Sequence, residues 1–424
     1  MQAKFMLSVL LLPVFVGDQM GNQLRNQIEN QIVSQAGGDA YSESTLVNFP
    51  SITEGPVLPS GGLIIDAAGN LYGSAQGGVN SLGAIFEVTP AGSMSVLHSF
   101  SGSDGSYPAA SLIRDAAGNL YGTTIQGGAS SNCSCGTVFK LMPDGEITVL
   151  YSFTGGYAYP SALTLDAAGN LYGFEYATNA NGSIFQVSTE GTFSVVYNFC
   201  SLSNCADGSA PVGSLIMDQA GNFYGATNRG GQFNQGAVFE LTPEYAESVL
   251  YSFTGGSDGG NPVGKLTQDA AGNMYSMTYG GGSTPTNAYG TLFKITSAGV
   301  ESVLYSFCQL TNCTDGARPA GALVLDASGN LYGTSILGGT NNAGVVFKVT
   351  ADGVESVLDD LTIAADGGNG AVLDKTGDVY VEIYSGGKSG QGSVVKLTED
   401  IDSVFRCDVI TRIEHRDCRV PREM

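Results

Sequence analysis

Tryptophan is absent from this 424-residue chain, and histidine occurs only twice, as His98 and His415. A Ser-His-Asp triad, a histidine-based metal centre and an HExxH zinc motif therefore cannot be built in the body of the chain. His98 stands where four other repeats carry tyrosine, which favours a framework role for it. Any catalysis would have to use carboxylate or tyrosine side chains.

Positive charge is also scarce, because 17 Lys and Arg face 39 Asp and Glu for a net charge of -22. Nucleic acids and anionic lipids need a basic surface, so we expect neither as a partner. Five of the basic residues lie in the tail, residues 406–424, which shares nothing with the rest of the chain. We expect a disordered basic extension there; a partner-binding tail is the alternative.

The chain has one long apolar run, residues 5–16, which is too short to span a bilayer. Lys4 precedes it, and residues 1–17 together are typical of a secretory signal. A misassigned start or an uncleaved anchor would produce the same pattern. Residues 18–43 are rich in Gln and Asn and are predicted to be a polar spacer. We therefore expect an exported protein, located in the periplasm, at the cell surface or outside the cell, with no other transmembrane helix.

One phrase recurs throughout the remaining sequence: Asp, two variable residues, Gly, Asn or Asp, an apolar residue and Tyr. Its seven copies begin at Asp66, Asp115, Asp166, Asp218, Asp269, Asp326 and Asp374. Successive copies start 48 to 57 residues apart. A period near fifty indicates one supersecondary unit repeated along the chain.

Each unit contains four short strand patterns. In the second copy, an apolar run ends at a tight turn, residues 115–118, and strands are predicted at 120–124, 137–141 and 148–153. Four strands joined by hairpins in about fifty residues are typical of a propeller blade. We predict an all-β, seven-bladed β-propeller over residues 44–405; a solenoid of hairpins is the competing architecture.

Two segments compete to close the ring. Residues 44–49 (STLVNF) match a fourth strand placed before the first complete unit. Residues 402–407 (DSVFRC) match the same strand after the last unit. The sequence leaves this choice open.

The repeat resembles that of the GloVer-type tandem repeat family, a group of exported bacterial β-propeller-like repeat proteins. The shared pattern is D-x-x-G-N-L-Y-G-T-T, a Gly-rich gap, G-T-V-F-K-L-T-P and V-L-Y-S-F, and it extends over residues 44–398. The resemblance implies export and the repeat architecture. The family has no defined function and no catalytic residues to carry over. Its members often end in a surface-anchoring signal, which this chain does not show.

Eight cysteines fit an oxidising compartment. Cys200 with Cys205 and Cys308 with Cys313 have one spacing and occupy one repeat position, the loop after the fourth strand, so we predict two disulfides. The pairing of the other cysteines stays open: Cys133, Cys135, Cys407 and Cys418. No histidine lies near any of them, and we expect no metal and no cofactor.

The repeated Asp is one candidate ligand. A calcium loop needs acidic or amide groups at alternating positions, whereas D-A-A-G-N has Ala at the second of them. We therefore interpret this Asp as a turn cap.

A second candidate is the rim opposite these turns, where the loop after the second strand and the loop between blades emerge together. The blade-to-blade loops carry an Asp-Gly pair at Asp104, Asp207, Asp258, Asp315 and Asp366. Polar, disulfide-braced loops on a rigid ring are typical of a recognition surface, and carboxylates hydrogen-bond sugar hydroxyls. The alternative is that these residues only shape turns.

These features predict a monomeric, exported, non-enzymatic binding or surface-interaction module whose ligand is a carbohydrate or another envelope component. One alternative is a polysaccharide-cleaving enzyme, a lyase or glycoside hydrolase, for which Glu175 with Tyr176 and Glu382 with Tyr384 are the asymmetric candidates. The other is a purely structural surface repeat.

Overall fold

The computed structural model is built almost wholly from strands. It describes residues 41–51, 55–78, 80–108, 110–129, 135–154, 159–176, 179–282, 289–362 and 370–399. The predicted signal segment, nearly all of the spacer and the basic tail lie outside the described residues. Within the described ranges, the only other regular elements are two short 3-10 turns, Ser203–Cys205 and Thr311–Cys313.

Seven antiparallel sheets, one for each repeat, form the predicted seven-bladed β-propeller. The first strand of each sheet lies at the centre of the ring, and the fourth lies at the outside. In blades 1 and 2 the inner strand is interrupted, so it is divided into two segments. Blade 1 contains β2 (Val57–Pro59), β3 (Ile64–Ile65), β4 (Leu71–Gly77), β5 (Ala84–Val88) and β6 (Met94–Ser99). Blade 2 contains β7 (Ser106–Pro108), β8 (Ile113–Arg114), β9 (Leu120–Gln126), β10 (Thr137–Leu141) and β11 (Ile147–Ser152).

The other blades each have a single inner-strand segment among the described residues. Blade 3 contains β12 (Thr164–Leu165), β13 (Leu171–Glu175), β14 (Ser183–Val187) and β15 (Phe193–Asn198). Blade 4 contains β16 (Ser209–Met217), β17 (Phe223–Arg229), β18 (Ala237–Leu241) and β19 (Glu247–Ser252). Blade 5 contains β20 (Gly260–Gln268), β21 (Met274–Gly280), β22 (Thr291–Ile295) and β23 (Glu301–Ser306). Blade 6 contains β24 (Ala317–Leu325), β25 (Leu331–Leu337), β26 (Val345–Val349) and β27 (Glu355–Asp360). Blade 7 contains β28 (Ala371–Leu373), β29 (Val379–Ile383), β30 (Ser393–Glu399) and β1 (Tyr41–Asn48).

The amino-terminal strand closes the ring. β1 pairs antiparallel with β30 from Tyr41 opposite Glu399 to Asn48 opposite Ser393, and so becomes the outer strand of blade 7. Phe49, which is fully buried, then packs edge-on against Phe86 of blade 1 with ring centroids 5.0 Å apart. The first of the two closing segments is therefore the one used; the competing residues 402–407 lie outside the described part of the chain.

The core lies between blades and explains two repeated residues. The third strands of blades 1 to 6 bury a phenylalanine: Phe86, Phe139, Phe185, Phe239, Phe293 and Phe347. The glycine of the Leu-Tyr-Gly sequence lies beneath the ring, since a Cβ on Gly73 would come within 2.4 Å of Cζ of Phe86. In blade 7 both residues change together, to Val381 and Val395, which pair across the same two strands. In blade 7 the loss of the glycine is thus matched by a smaller partner, whereas in blade 5 Ser276 replaces the glycine opposite Phe293.

The seven-fold phrase is a hairpin closed by its own side chains. In blade 5, Asp269 accepts hydrogen bonds from the backbone N of Ala271 at 2.9 Å and of Asn273 at 2.8 Å. It also accepts from Asn273 Nδ2 at 2.8 Å and from the Tyr275 hydroxyl at 2.9 Å. Burial, and then the bond to Asp269, raises the pKa of Tyr275 to about 12, so its hydroxyl stays a donor. In all seven blades the tyrosine donates to the aspartate. This geometry accounts for the aspartate as a turn cap.

Candidate functional site

Two sets of loops lie side by side on the rim opposite the Asp hairpins: those after the second strand of each blade and those between blades. Backbone hydrogen bonds join them, from Gly128 N to Gly102 O and from Gly231 N to Cys205 O, each at 2.9 Å. The same bond recurs between Gly339 N and Cys313 O. We call this surface, formed by the described residues of both sets, the long-loop rim.

Both predicted disulfides form on this rim. Cys200 is bonded to Cys205 and Cys308 to Cys313. Each bond closes a tight loop around a 3-10 turn and leaves one leucine, Leu202 or Leu310, 56% exposed at its tip. Cys133, Cys407 and Cys418 lie outside the described residues.

The aspartates of the blade-to-blade loops turn inward and brace these loops. Asp207 is fully buried and accepts from the backbone N of Ser201 at 2.8 Å and from the Tyr197 hydroxyl at 2.9 Å. Asp315, also buried, accepts from Gln309 N and the Tyr305 hydroxyl, both at 2.7 Å. These carboxylates fix loop shape instead of projecting into solvent.

Asp258 and Asp104 follow the same plan with one substitution. Asp258 accepts from the Tyr251 hydroxyl at 3.0 Å, whereas Asp104 lies 2.8 Å from Nε2 of His98. His98 thus contacts the loop aspartate as the tyrosine does in the other blades. This contact agrees with a framework role for His98. Although burial opposes it, hydrogen bonds from Ser101 and His98 hold the pKa of Asp104 below its usual value. Asp366 lies outside the described residues.

Sequence reasoning missed three glutamates, Glu247, Glu301 and Glu355, each the first residue of an outer strand. Each reaches the tyrosine and aspartate of the preceding blade's loop: the Tyr197 hydroxyl, already bonded to Asp207, lies 3.2 Å from Oε2 of Glu247. In all three, Oε1 is buried without a hydrogen-bond partner. Burial first, and then the neighbouring aspartate, raises their pKa values to about 7, 7 and 8. The repeated Glu-Ser-Val-Leu sequence was the available signal.

A second missed feature lies where each inner strand begins. The residue before the strand's proline has left-handed backbone, with φ between 42° and 57°, in six blades: Leu58, Tyr107, Tyr159, Ala210, Asn261 and Arg318. This conformation costs a non-glycine residue about 1–2 kcal/mol. Six blades therefore repeat one strained backbone position, which carries five different residue types. Such positions gather at functional sites.

Two of these strained positions, Arg318 and Asn261, are contacted by the end of the preceding blade's second strand, and in blade 4 the contact is to the proline that follows the strained residue. Arg318 donates to the Tyr279 hydroxyl at 2.9 Å and lies 4.9 Å from the centre of its ring. Asn261 Nδ2 donates to Asn228 O at 2.9 Å, and the Tyr176 hydroxyl donates to Pro211 O at 2.8 Å. We call the six left-handed residues, with their neighbours Tyr176, Asn228 and Tyr279, the junction ring.

The two carboxylates considered for catalysis are in different blades and have no solvent exposure. Glu175 in blade 3 accepts from the Ser183 hydroxyl, and Glu382 in blade 7 accepts from Gly62 N at 3.0 Å. Burial raises the pKa of Tyr176 to about 12. Their burial gives neither carboxylate a path to a polysaccharide on the surface. Among the described residues, no group of three or more His, Cys, Asp or Glu is placed to hold a metal ion.

The family model of the Gloeobacter/Verrucomicrobia repeat matches the chain in three overlapping segments, residues 33–216, 158–314 and 267–412. The chain therefore belongs to this repeat family. The comparison with curated proteins gives no match.

Solved structures share the fold at low identity. The extracellular domain of a hybrid two-component system from B. thetaiotaomicron is 13% identical with a TM-score of 0.54, over 85% of this chain and 41% of that one. A puromycin-hydrolyzing peptidase from Mycobacterium tuberculosis is 10% identical with a TM-score of 0.54, over 86% of this chain and 55% of that one. A gluconolactonase from Xanthomonas campestris is 13% identical with a TM-score of 0.43, over 86% and 92%. This chain thus spans less than two thirds of the length of the extracellular-domain structure and of the peptidase.

Two disulfides fit an exported protein. No helix in the described residues has the length and apolar character that a membrane span requires.

Proposed function

We propose that this protein is an exported, non-enzymatic binding module whose long-loop rim, centred on the junction ring, holds a carbohydrate of the cell envelope or its surroundings. One observation carries the proposal: a strained backbone position is kept in six blades while its side chain ranges over five residue types. The repeats supply a rigid frame, and the side chains supply an asymmetric surface.

The chemistry of the rim suits sugars. Tyr107, Tyr159 and Tyr279 of the junction ring are 36%, 54% and 38% exposed, and Phe233 in the blade 4 loop is 48% exposed. Exposed aromatic faces offer flat apolar contact to a sugar ring, while amide and hydroxyl groups nearby can bond its hydroxyls.

In this proposal Asp104, Asp207, Asp258 and Asp315 belong to the binding face as supports of its loops, and Asp366 is assigned to it by its repeat position alone. The net charge of -22 argues against nucleic acid as the ligand. Two exposed leucines, Leu202 and Leu310, flank the face on the disulfide loops and add apolar contact.

A glycan and polysaccharide screen tests the proposal, using protein made in an oxidising compartment, with and without calcium. We expect saturable binding that falls on the order of tenfold or more when Tyr159→Ala and Tyr279→Ala are combined. Val300→Ala with Val354→Ala is the matched control, because these side chains are 63% and 59% exposed at turns on the opposite rim. A blank screen, or equal loss in both double variants, would refute the proposal.

The enzyme and the structural repeat remain the rival proposals. Incubation with the same polysaccharides separates them: released oligosaccharide would favour the enzyme, whereas no product and no binding would favour the structural repeat.

A further inference from the structure

The seven inner strands surround a central cavity of about 460 Å³. Its wall is made of small residues that let the backbones meet: a Cβ on Gly264, whose φ is +69°, would lie 1.9 Å from Gly321 O. At the fourth residue before each repeated Asp, six blades carry Gly, Ala or Ser. Blade 5 alone carries a long side chain there, Lys265, and it lines the cavity.

The channel is positively charged inside an acidic protein. A second cavity of about 560 Å³ shares Lys265, Ser111 and Ser214 with the first and adds Arg114. No acidic residue is among the described residues that line either cavity. Glu382 is buried and bonded to Gly62 N, and it does not line them. The Arg114 guanidinium lies over the Tyr72 ring, 5.6 Å from its centre. Lys265 is therefore the one cation among the described residues that line the central cavity, and no carboxylate lines it.

The Lys265 ammonium has no ion-pair or hydrogen-bond partner among the described residues. Its side chain is open to the channel, yet the surrounding strands remove enough water to lower the pKa of its amine. An ammonium group enclosed in this way is stabilised by an anion that replaces its lost hydration.

We infer that the central channel is a binding site for a small monocarboxylate, paired with the Lys265 ammonium and hydrogen-bonded by the Ser111 and Ser214 hydroxyls. The single negative charge of a monocarboxylate matches the charge of the Lys265 ammonium, which is the only charged side chain at this position of the seven inner strands. A phosphate dianion would leave excess negative charge inside a protein of net charge -22. The cavity volume is within the range of small-molecule sites. The inference does not depend on what the long-loop rim binds.

Calorimetric titration of the disulfide-bonded protein tests this site with acetate, lactate and D-glucuronate, using methyl glucoside and phosphate as comparisons. We expect one-to-one binding of at least one carboxylate, and a loss on the order of a hundredfold in Lys265→Met. Lys265→Arg should retain part of the affinity. Binding should also weaken as pH rises through the pKa of the amine, because only the charged form pairs with a carboxylate.

Lys294→Met is the matched control, since Lys294 is in the same blade but lies 5.6 Å from the centre of the Tyr275 ring. Circular dichroism checks that each variant is folded, and Lys265→Gln replaces the Met variant if that one unfolds. The site is refuted if no carboxylate binds at millimolar concentration, if the lysine variants bind as the wild type does, or if phosphate or methyl glucoside binds as well. Unchanged glycan binding by Lys265→Met would separate this outcome from failure of the rim proposal.

Discussion

Aspartate has two structural roles in this protein, depending on the residues that surround it. The aspartates of the repeated phrase close hairpins on one rim, and those of the blade-to-blade loops brace the other. Sequence spacing was enough to identify the first group as turn caps, because the donors are two and four residues away. It was not enough for Glu247, Glu301 and Glu355, whose partners are in the preceding blade and come within reach only through the twist of the sheets.

Removing one hairpin aspartate should destabilise the whole ring. Asp269→Ala leaves two backbone N–H groups, an amide and the Tyr275 hydroxyl without their acceptor, so we expect a loss of about 1–3 kcal/mol in the free energy of unfolding. Urea denaturation measures it. Asp144→Ala is the control, because Asp144 is exposed and accepts one bond, from Glu146 N at 3.2 Å. Equal losses in the two variants would contradict the assigned role.

The raised glutamate pKa values predict a loss of stability with rising pH. Folding raises the pKa of Glu355 from 4.5 to about 8, so between these values the unfolded chain releases the proton while the folded chain keeps it. The contribution of Glu355 to the free energy of unfolding is therefore fully present below pH 4.5 and is lost as the pH rises from 4.5 to about 8.

Glu355→Gln should remove this dependence. Since the side chain is only partly buried, we expect the variant to be about 1 kcal/mol more stable than the wild type at pH 8 and equal to it near pH 4.5. Thermal unfolding at the two pH values measures the difference. The exposed Glu244→Gln should change neither, and a Glu355→Gln variant that is less stable at pH 8 would contradict the assignment.

At the scale of the element, strands were predictable and loop conformations were not. The alternation of side chains with a period of two located the third strand of blade 2 at residues 137–141. These are the bounds of β10. The residue before proline normally favours extended backbone, so nothing in the sequence indicated the left-handed residues of the junction ring. Tyr159 and Arg318 therefore could not be assigned to the candidate site from their own sequence context.

The two disulfide loops should act as local clamps. Closing so short a loop stabilises by about 2 kcal/mol in the chain-entropy model. We expect Cys308→Ser with Cys313→Ser to raise hydrogen exchange in residues 307–316 while β22 and β23 stay protected. Reductant should reproduce this effect in the wild type and should not change exchange in residues 307–316 of the double variant, which keeps the Cys200–Cys205 bond. Exchange that rises equally throughout blade 5 would contradict a local role.

At the scale of the whole molecule, the ring depends on its first strand. β1 supplies the outer strand of blade 7, and Phe49 carries the chain into the core beside blade 1. The sequence contained two candidates for this place, and only pairing geometry distinguishes them. The channel behind the long-loop rim is lined by Lys265, whose charge is opposite to the net charge of the protein.

Deleting residues 41–49 should open the propeller. The edge of β30 and the Phe86 side of blade 1 would then be exposed, so we expect aggregation and the loss of a single cooperative transition. Calorimetry and size-exclusion chromatography measure both. Deletion of residues 1–40 alone is the control and should leave the transition intact; a cooperative monomer lacking residues 41–49 would contradict closure by β1.

The central claim is that the repeats form the frame and the long-loop rim forms the binding face. Hydrogen–deuterium exchange of the protein with and without its best-binding glycan tests it most directly. We predict protection in peptides that contain Tyr107, Tyr159, Tyr279 and Arg318, with no change in the hairpins at Asp66, Asp218 and Asp326. Protection centred on those hairpins, with the rim unchanged, would contradict the account.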